Sequence, residues 1–313
     1  MSLPRKRQWQ ELLIAAGVLA LGAVKVVSAQ DLTSQRVDLA QDITKTEIQA
    51  RALRGNLHVL LGWGGNIAVS TGPDGTLLVD DEYALLTPKV RDTLRELRSP
   101  QVKIVVNTHW HDDHTGGNEA FAHDGAIIIA QENARRRMQT DLVVSLWGPQ
   151  KALPPAAWPA ITFDQSLRLH WNGDEIDVIH VGAAHTDGDA IVFFRQQNVI
   201  MTGDLLFGPE YWPPYFDDLN GGSVHGMIAA ADRLLGLTDE RTIVVPGHGE
   251  VTDRAGLQTY RDGLVATRGR ITDAVARGLS EDEVVALHPA DGFARAGKGT
   301  DRWVRIVYRE YHR

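Results

Sequence analysis

The chain contains no cysteine. That absence removes any disulfide framework, and it removes the thiolate both as a metal ligand and as a nucleophile. Basic residues are also outnumbered: 32 Lys and Arg face 40 Asp and Glu, a net charge of -8. Such a balance excludes the broad basic face that nucleic-acid binding requires. Runs of like charge and internal repeats are missing as well, so neither an interaction tail nor a solenoid is expected. Long apolar stretches are scarce. The one at the N-terminus, Leu12 to Val24, follows Arg5, Lys6 and Arg7 and is bounded by Lys25. It is too short for a comfortable membrane span. Val27-Ser28-Ala29 places small residues before Gln30, so residues 1–29 read as a cleavable signal peptide. A periplasmic or secreted protein with no stable membrane span after cleavage is expected. Retention of the segment as a weak anchor is the alternative.

What is present is ample material for a core. The 313 residues are 43% hydrophobic and 23% charged, which suits one large α/β unit. Residues 30–54 are polar and read as a loose lead-in, leaving residues 55–313 as the folded domain with its C-terminal helices. Strands are expected at Leu57–Leu61, Asn66–Ser70, Thr76–Asp80, Val102–Val106 and Ala126–Ala130, with a helix over Pro88–Leu97. Short strands resume at 167–171, 175–180, 190–195, 199–202 and 242–245, with helices at 224–237 and from 257 onward. Leu146 to Pro159, rich in Trp and Pro, reads as an ordered loop. Strands and helices in this order imply sheets packed face to face with helices outside, an α/β class.

The most informative segment is His109-Trp110-His111-Asp112-Asp113-His114, directly after an apolar strand. Three imidazoles and a spaced carboxylate form a donor set for a borderline-soft divalent ion such as zinc. Three more candidates each sit just beyond a predicted strand. His185 lies in a glycine-rich turn, Asp204 follows Gly203, and His248 lies in Pro246-Gly247-His248-Gly249. Strand ends are where an α/β fold gathers a site.

This pattern resembles the metallo-β-lactamase superfamily. Its His-X-His-X-Asp-His signature is matched at His109, His111, Asp113 and His114, and its later elements at His185, Asp204 and His248. The resemblance implies a four-layer αβ/βα sandwich with the site at one edge, between the two halves. It implies two metal ions: His109, His111 and His185 around the first, Asp113, His114 and His248 around the second, and Asp204 bridging both. Zinc is the expected metal, with iron or manganese as other occupants. A zinc ion held by neutral imidazoles lowers the pKa of its water from ~15.7 to about 7, and a second ion can share that nucleophile. Asp113 and Asp204 are therefore the expected catalytic residues, Asp113 to orient the hydroxide and relay its proton. The expected reaction is hydrolysis of a lactam, lactone, ester or thioester.

Substrate selection is expected from three loops: Gly62–Gly65, Trp147–Trp158 and Phe207–Asn220. Tyr211, Trp212 and Tyr215 are candidate wall residues, with Asn220 and Ser223 as polar contacts. No Lys or Arg occurs between Arg195 and Arg233, so a small, partly apolar substrate is favoured over a phosphodiester. The best-known β-lactamases of the superfamily carry Cys where this chain has Asp204, and Lys where it has Phe207. Only weak β-lactam hydrolysis is therefore expected, and the site is more similar to glyoxalase II, lactonases and exported hydrolases related to the β-lactamases. Two alternatives stand: a mononuclear-iron oxygenase of the persulfide dioxygenase type, and a non-catalytic metal-binding protein.

Overall fold

The structure, a computed structural model, describes residues 43–312. The proposed signal segment, 1–29, lies outside the described residues, as does the first part of the lead-in. One seven-stranded sheet opens as an antiparallel meander of β1 (Gln49–Ala52), β2 (Leu57–Leu61), β3 (Ile67–Ser70) and β4 (Thr76–Val79). It continues in parallel through β5 (Val102–Val106) and β6 (Ile127–Gln131). A separate hairpin, β7 (Leu142–Val144) with β8 (Gly148–Gln150), precedes its last parallel strand, β9 (Ile161–Phe163). The second sheet is antiparallel from β10 (Ser166–Trp171) through β11 (Asp174–His180) and β12 (Ala190–Phe194) to β13 (Val199–Met201). There β14 (Ile243–Val245) joins in parallel.

The two sheets face each other across an apolar layer. Val59, Leu77, Ile104 and Val106 from the first meet Val178, Val192, Phe194 and Val245 from the second. Each such side chain, fully buried, contributes roughly 1.5–3 kcal/mol. In β5 every residue but Lys103 is buried, as a parallel strand covered on both faces requires. Outside the first sheet, helix α1 (Thr87–Glu96) sets Val90 and Leu94 against Val102, Val105 and Ile128. The short helices α2 (Asp112–Thr115), α3 (Asn118–His123) and α4 (Glu132–Met138) follow. Outside the second sheet lie α5 (Val224–Leu237), α6 (Arg254–Ala276), α7 (Glu281–Ala286) and α8 (Lys298–Tyr311). Their Met227, Leu234, Leu264 and Val307 pack with Ile191, Ile200 and Val244. This is the four-layer αβ/βα sandwich.

Two segments differ from the sequence reading. Gln49–Ala52, within the polar lead-in, is an edge strand paired with β2, and all four residues are exposed. A strand held by backbone hydrogen bonds alone carries no alternating apolar signal. The stretch read as a loop from Leu146 holds one arm of the β7–β8 hairpin and a helical turn at Pro155–Ala157. Among the described residues, no helix is long and apolar enough to cross a membrane.

Candidate metal centre

β5 delivers the chain to His109, and His111, Asp113 and His114 follow as the path closes into α2. His185 sits between β11 and β12, Asp204 on a tight turn after β13, and His248 just beyond β14. The turn before Asp204 needs glycine. Gly203 has φ of 53°, and a Cβ there would stand 2.5 Å from Thr108 Oγ1. The seven buried side chains meet as two groups: His109, His111, His185 and Asp204 in one, Asp113, His114 and His248 in the other. Asp204 links them. Its Oδ2 lies 3.3 Å from His185 Nε2 and 3.4 Å from His248 Nε2, and its Oδ1 lies 3.1 Å from His114 Nε2.

The outward ring nitrogens show which nitrogen faces the centre. Thr108 Oγ1 donates its only proton to Asp80 Oδ2 (2.8 Å), so at 3.1 Å it can only accept from His109 Nδ1. His111 Nε2 points to Asp217 Oδ2 (3.4 Å), His114 Nδ1 to Asp80 Oδ2 (2.9 Å), and His185 Nδ1 to the carbonyl of Tyr215 (2.9 Å). An acceptor on the outer nitrogen leaves a lone pair on the inner one. The inner nitrogens of His111 and His185 then stand 2.9 Å apart, those of His109 and His111 3.1 Å, and those of His114 and His248 3.3 Å. Among His109, His111 and His185, facing lone pairs at such distances repel unless a cation lies between them. Asp204 Oδ1, though buried, accepts no hydrogen bond. The residues present therefore fit a pair of metal ions.

The electrostatics agree with that demand for positive charge. Burial would raise Asp204, but His248, His114 and His185 hold its carboxyl well below the usual range. Asp113 is also lowered, burial being outweighed by His114 and His248. Burial would depress His248, yet Asp204 and Asp113 hold it up at about 10, and His114 is raised in the same way. His185 goes the other way: burial brings it down to about 4 against the pull of Asp204. His109 is lowered by burial and by His114.

Supporting residues that sequence reasoning missed surround the ligands. Asp80 and Asp217 are fully buried carboxylates that orient His114 and His111. Asp80 is held in a left-handed conformation, φ 63°. Asp189 accepts from the backbone N–H of His185 and Thr186 and from Thr186 Oγ1. Asp112, not carried over as a ligand, belongs to neither metal-binding group.

A cavity of about 410 Å³ opens on His111, Asp113, Asp204 and His248. Tyr211, Trp212 and Tyr215 line it, as does Trp147 from the β7–β8 turn. Asn220 and Ser223 do not. Asn220 is buried and donates to Asp217 Oδ2 (2.8 Å) and the Val143 carbonyl (2.9 Å), while Ser223 caps α5 by accepting from the Gly226 N–H. Both hydrogen-bonding groups are taken up by the scaffold. The Gly62–Gly65 loop contributes nothing to the lining either. It buttresses the ligands: Gly65 N–H donates to the Asp113 carbonyl, and a Cβ on Gly65 would overlap the His114 ring.

Two ligand groups at one edge of an αβ/βα sandwich define a metallohydrolase scaffold. The chain belongs to the metallo-β-lactamase superfamily, whose sequence model matches residues 61–248. A probable metallo-hydrolase of Methanocaldococcus jannaschii is 26% identical over 207 residues, covering 64% of this chain and 89% of that protein. A hydroxyacylglutathione hydrolase of a Polaromonas species is 27% identical over 194 residues, 59% of this chain and 60% of that one. Among solved structures, a metallo-β-lactamase from Pontibacter korlensis superposes with a TM-score of 0.58 at 19% identity, covering 69% of this chain and 99% of its own. The DIM-1 metallo-β-lactamase gives 0.56 at 17% identity, with 70% and 97% covered. These two are likenesses of fold.

Proposed function

We propose that this protein is a binuclear zinc hydrolase of a small, partly apolar carbonyl substrate: an ester, lactone, thioester or lactam. The observation that carries the reading is the pair of ligand groups joined by one buried carboxylate, Asp204, beneath an aromatic-walled cavity. The similarity to a hydroxyacylglutathione hydrolase supports it. When bound, the metals supply a hydroxide at neutral pH and polarise the carbonyl oxygen. Asp204, within reach of ligands from both groups, would help hold the metals and offset their charge. Asp113, ionised and 3.2 Å from His248 Nε2, accepts the proton released as the nucleophile forms. Tyr211 lines the cavity beside His248, ring centroids 5.6 Å apart. Burial pushes its phenol up to about 12, so it stays protonated and can donate to the substrate. Tyr215 serves as wall only, its hydroxyl being engaged with Ser145 Oγ at 3.1 Å.

Phe207 stacks on His248 with ring planes 6° apart, so this position offers a substrate carboxylate no cation. β-Lactam hydrolysis is accordingly a weak side activity in this reading. The test is metal analysis of the purified protein together with assays of nitrocefin, an acyl-homoserine lactone, thioesters and simple esters. About two zinc ions per chain and loss of hydrolysis in Asp204→Ala are expected. Full activity in that variant with one metal lost would overturn the shared role, and a single iron with sulfur-oxidising activity would replace the reading. Export belongs to the same proposal. A mature mass beginning at Gln30 is expected, and a cytoplasmic protein with an intact N-terminus would refute it.

A further inference from the structure

The cavity also carries basic side chains in its lining. Arg295 and Lys298, from the segment joining α7 to α8, line it, and both side chains are exposed. Neither makes an ion pair or a side-chain hydrogen bond among the described residues. Other cations in this chain of net charge -8 do find acidic partners: Arg137 with Asp187, Arg168 and Arg195 with Asp177, Arg305 and Arg309 with Glu281. Gly297 precedes Lys298 at φ 155° and gives α8 no side-chain cap. Lys298 and Gly299, in the first turn of α8, both line the cavity. A third cation of the lining, Arg302, is engaged elsewhere: its guanidinium donates to the Ser145 carbonyl and ties α8 to the β7–β8 hairpin. The acids of the lining, Asp113, Asp204 and Glu210, stand at or beside the metal ligands, with Glu210 lying over Gly208 and Gly249. The lining also includes the apolar side chains of Phe207, Trp212, Phe216, Trp303 and Ile306.

We propose that Arg295 and Lys298 form an anion subsite, so that the preferred substrate carries a carboxylate separated from its scissile carbonyl by an apolar stretch. This rests on the hydrolase reading. It replaces the cation missing at Phe207 with cations from far along the chain that line the same cavity.

The test uses the full-length, metal-loaded protein and two 4-nitrophenyl esters of equal chain length, the anionic glutarate monoester and the neutral pentanoate. A KM about tenfold lower for the glutarate ester is expected, with the difference shrinking at about 0.5 M salt because both cations are exposed and screened. Arg295→Ala/Lys298→Ala should raise KM for the glutarate ester about tenfold and leave kcat and the pentanoate ester unchanged. Arg295→Lys should recover part of the loss. Equal KM values for the two esters in the unaltered protein, or a double variant that shifts both alike, would overturn the subsite. Binding of glutaranilate against pentananilide, followed by tryptophan fluorescence, gives a readout free of turnover. If neither ester is hydrolysed the hydrolase reading fails, while the anilides still decide the subsite: preference for glutaranilate lost in the double variant supports it, and equal binding refutes it.

Discussion

His111 is held for metal binding by one carboxylate, and removing it should be felt at one metal position and not the other. His111 turns Nδ1 toward the centre, 3.1 Å from His109 Nε2 and 2.9 Å from His185 Nε2. Its Nε2 must then carry the proton, and the acceptor is Asp217 Oδ2 at 3.4 Å. Burial would raise the Asp217 carboxyl, but the hydrogen bond and charge of His111 bring it below its ordinary value. In Asp217→Ala the Nε2–H loses its acceptor, and the other tautomer, with its proton on the ligating nitrogen, becomes accessible. Loss of such a supporting carboxylate costs about 10–100-fold in metal affinity, or about 1.4–2.7 kcal/mol. The scaffold should survive, because Asn220 keeps its 2.9 Å bond to the Val143 carbonyl. Zinc competition against a chromophoric chelator, fitted to two sites, measures the effect. Asp217→Asn should retain part of the affinity, since an amide oxygen still accepts. Asp80→Asn is the counterpart: it acts on His114 and should weaken the other position, while Asn tolerates the left-handed backbone there. Unchanged affinity at both positions in Asp217→Ala, or the same site weakened by both variants, would refute the reasoning.

Two further outcomes follow from packing and charge. A Cβ at Gly247 would overlap Asp204 Oδ1 and lie 2.6 Å from the Gly203 carbonyl carbon. Gly247→Ala should therefore displace the shared carboxylate, lose at least one metal in stoichiometry measurements, and cost about 1–3 kcal/mol in denaturant unfolding; full metal content at full stability would contradict this. Glu82 is buried, and burial raises its carboxyl from 4.5 to about 7, so the folded state binds a proton that the unfolded state has lost. Stability should fall as pH rises from 4.5 toward 7 and then level off, by about 3 kcal/mol at 1.36 kcal/mol per pH unit. Unfolding titrations should show that slope flattened in Glu82→Gln, and an identical slope in the variant would exclude Glu82 as its source.

The parts of the fold legible in the sequence are those with a local signal. β5 and β14 are apolar runs ending on histidine-bearing turns, and the run His109 to His114 holds four of the seven ligand residues within six positions. β1 left no trace, because its side chains bury nothing. The carboxylates that orient the ligands were hidden by distance: Asp80 lies 34 residues before His114, and Asp217 lies 106 after His111. Nothing local separates such an acid from a surface one. Ser223 is different, since a serine directly before an apolar helix is an N-cap signal, and its assignment as a substrate contact passed over a cue that was available. Arg295 and Lys298 carry no local cue, because only tertiary packing brings their segment to the cavity.

Arg302, bonded to the Ser145 carbonyl, stands well beyond residue 248, where the match to the superfamily model ends. All seven ligand residues lie inside that match, whereas part of the cavity lining comes from 295–306. The ligand residues and that part of the cavity are thus written in separate stretches of chain, joined by the Arg302 clasp and by Trp303 Nε1, which donates to the Pro214 carbonyl. Exchange of the C-terminal segment would reshape the chamber while leaving every ligand in place, and loss of the clasp would let hairpin and helix part without touching a metal-binding atom.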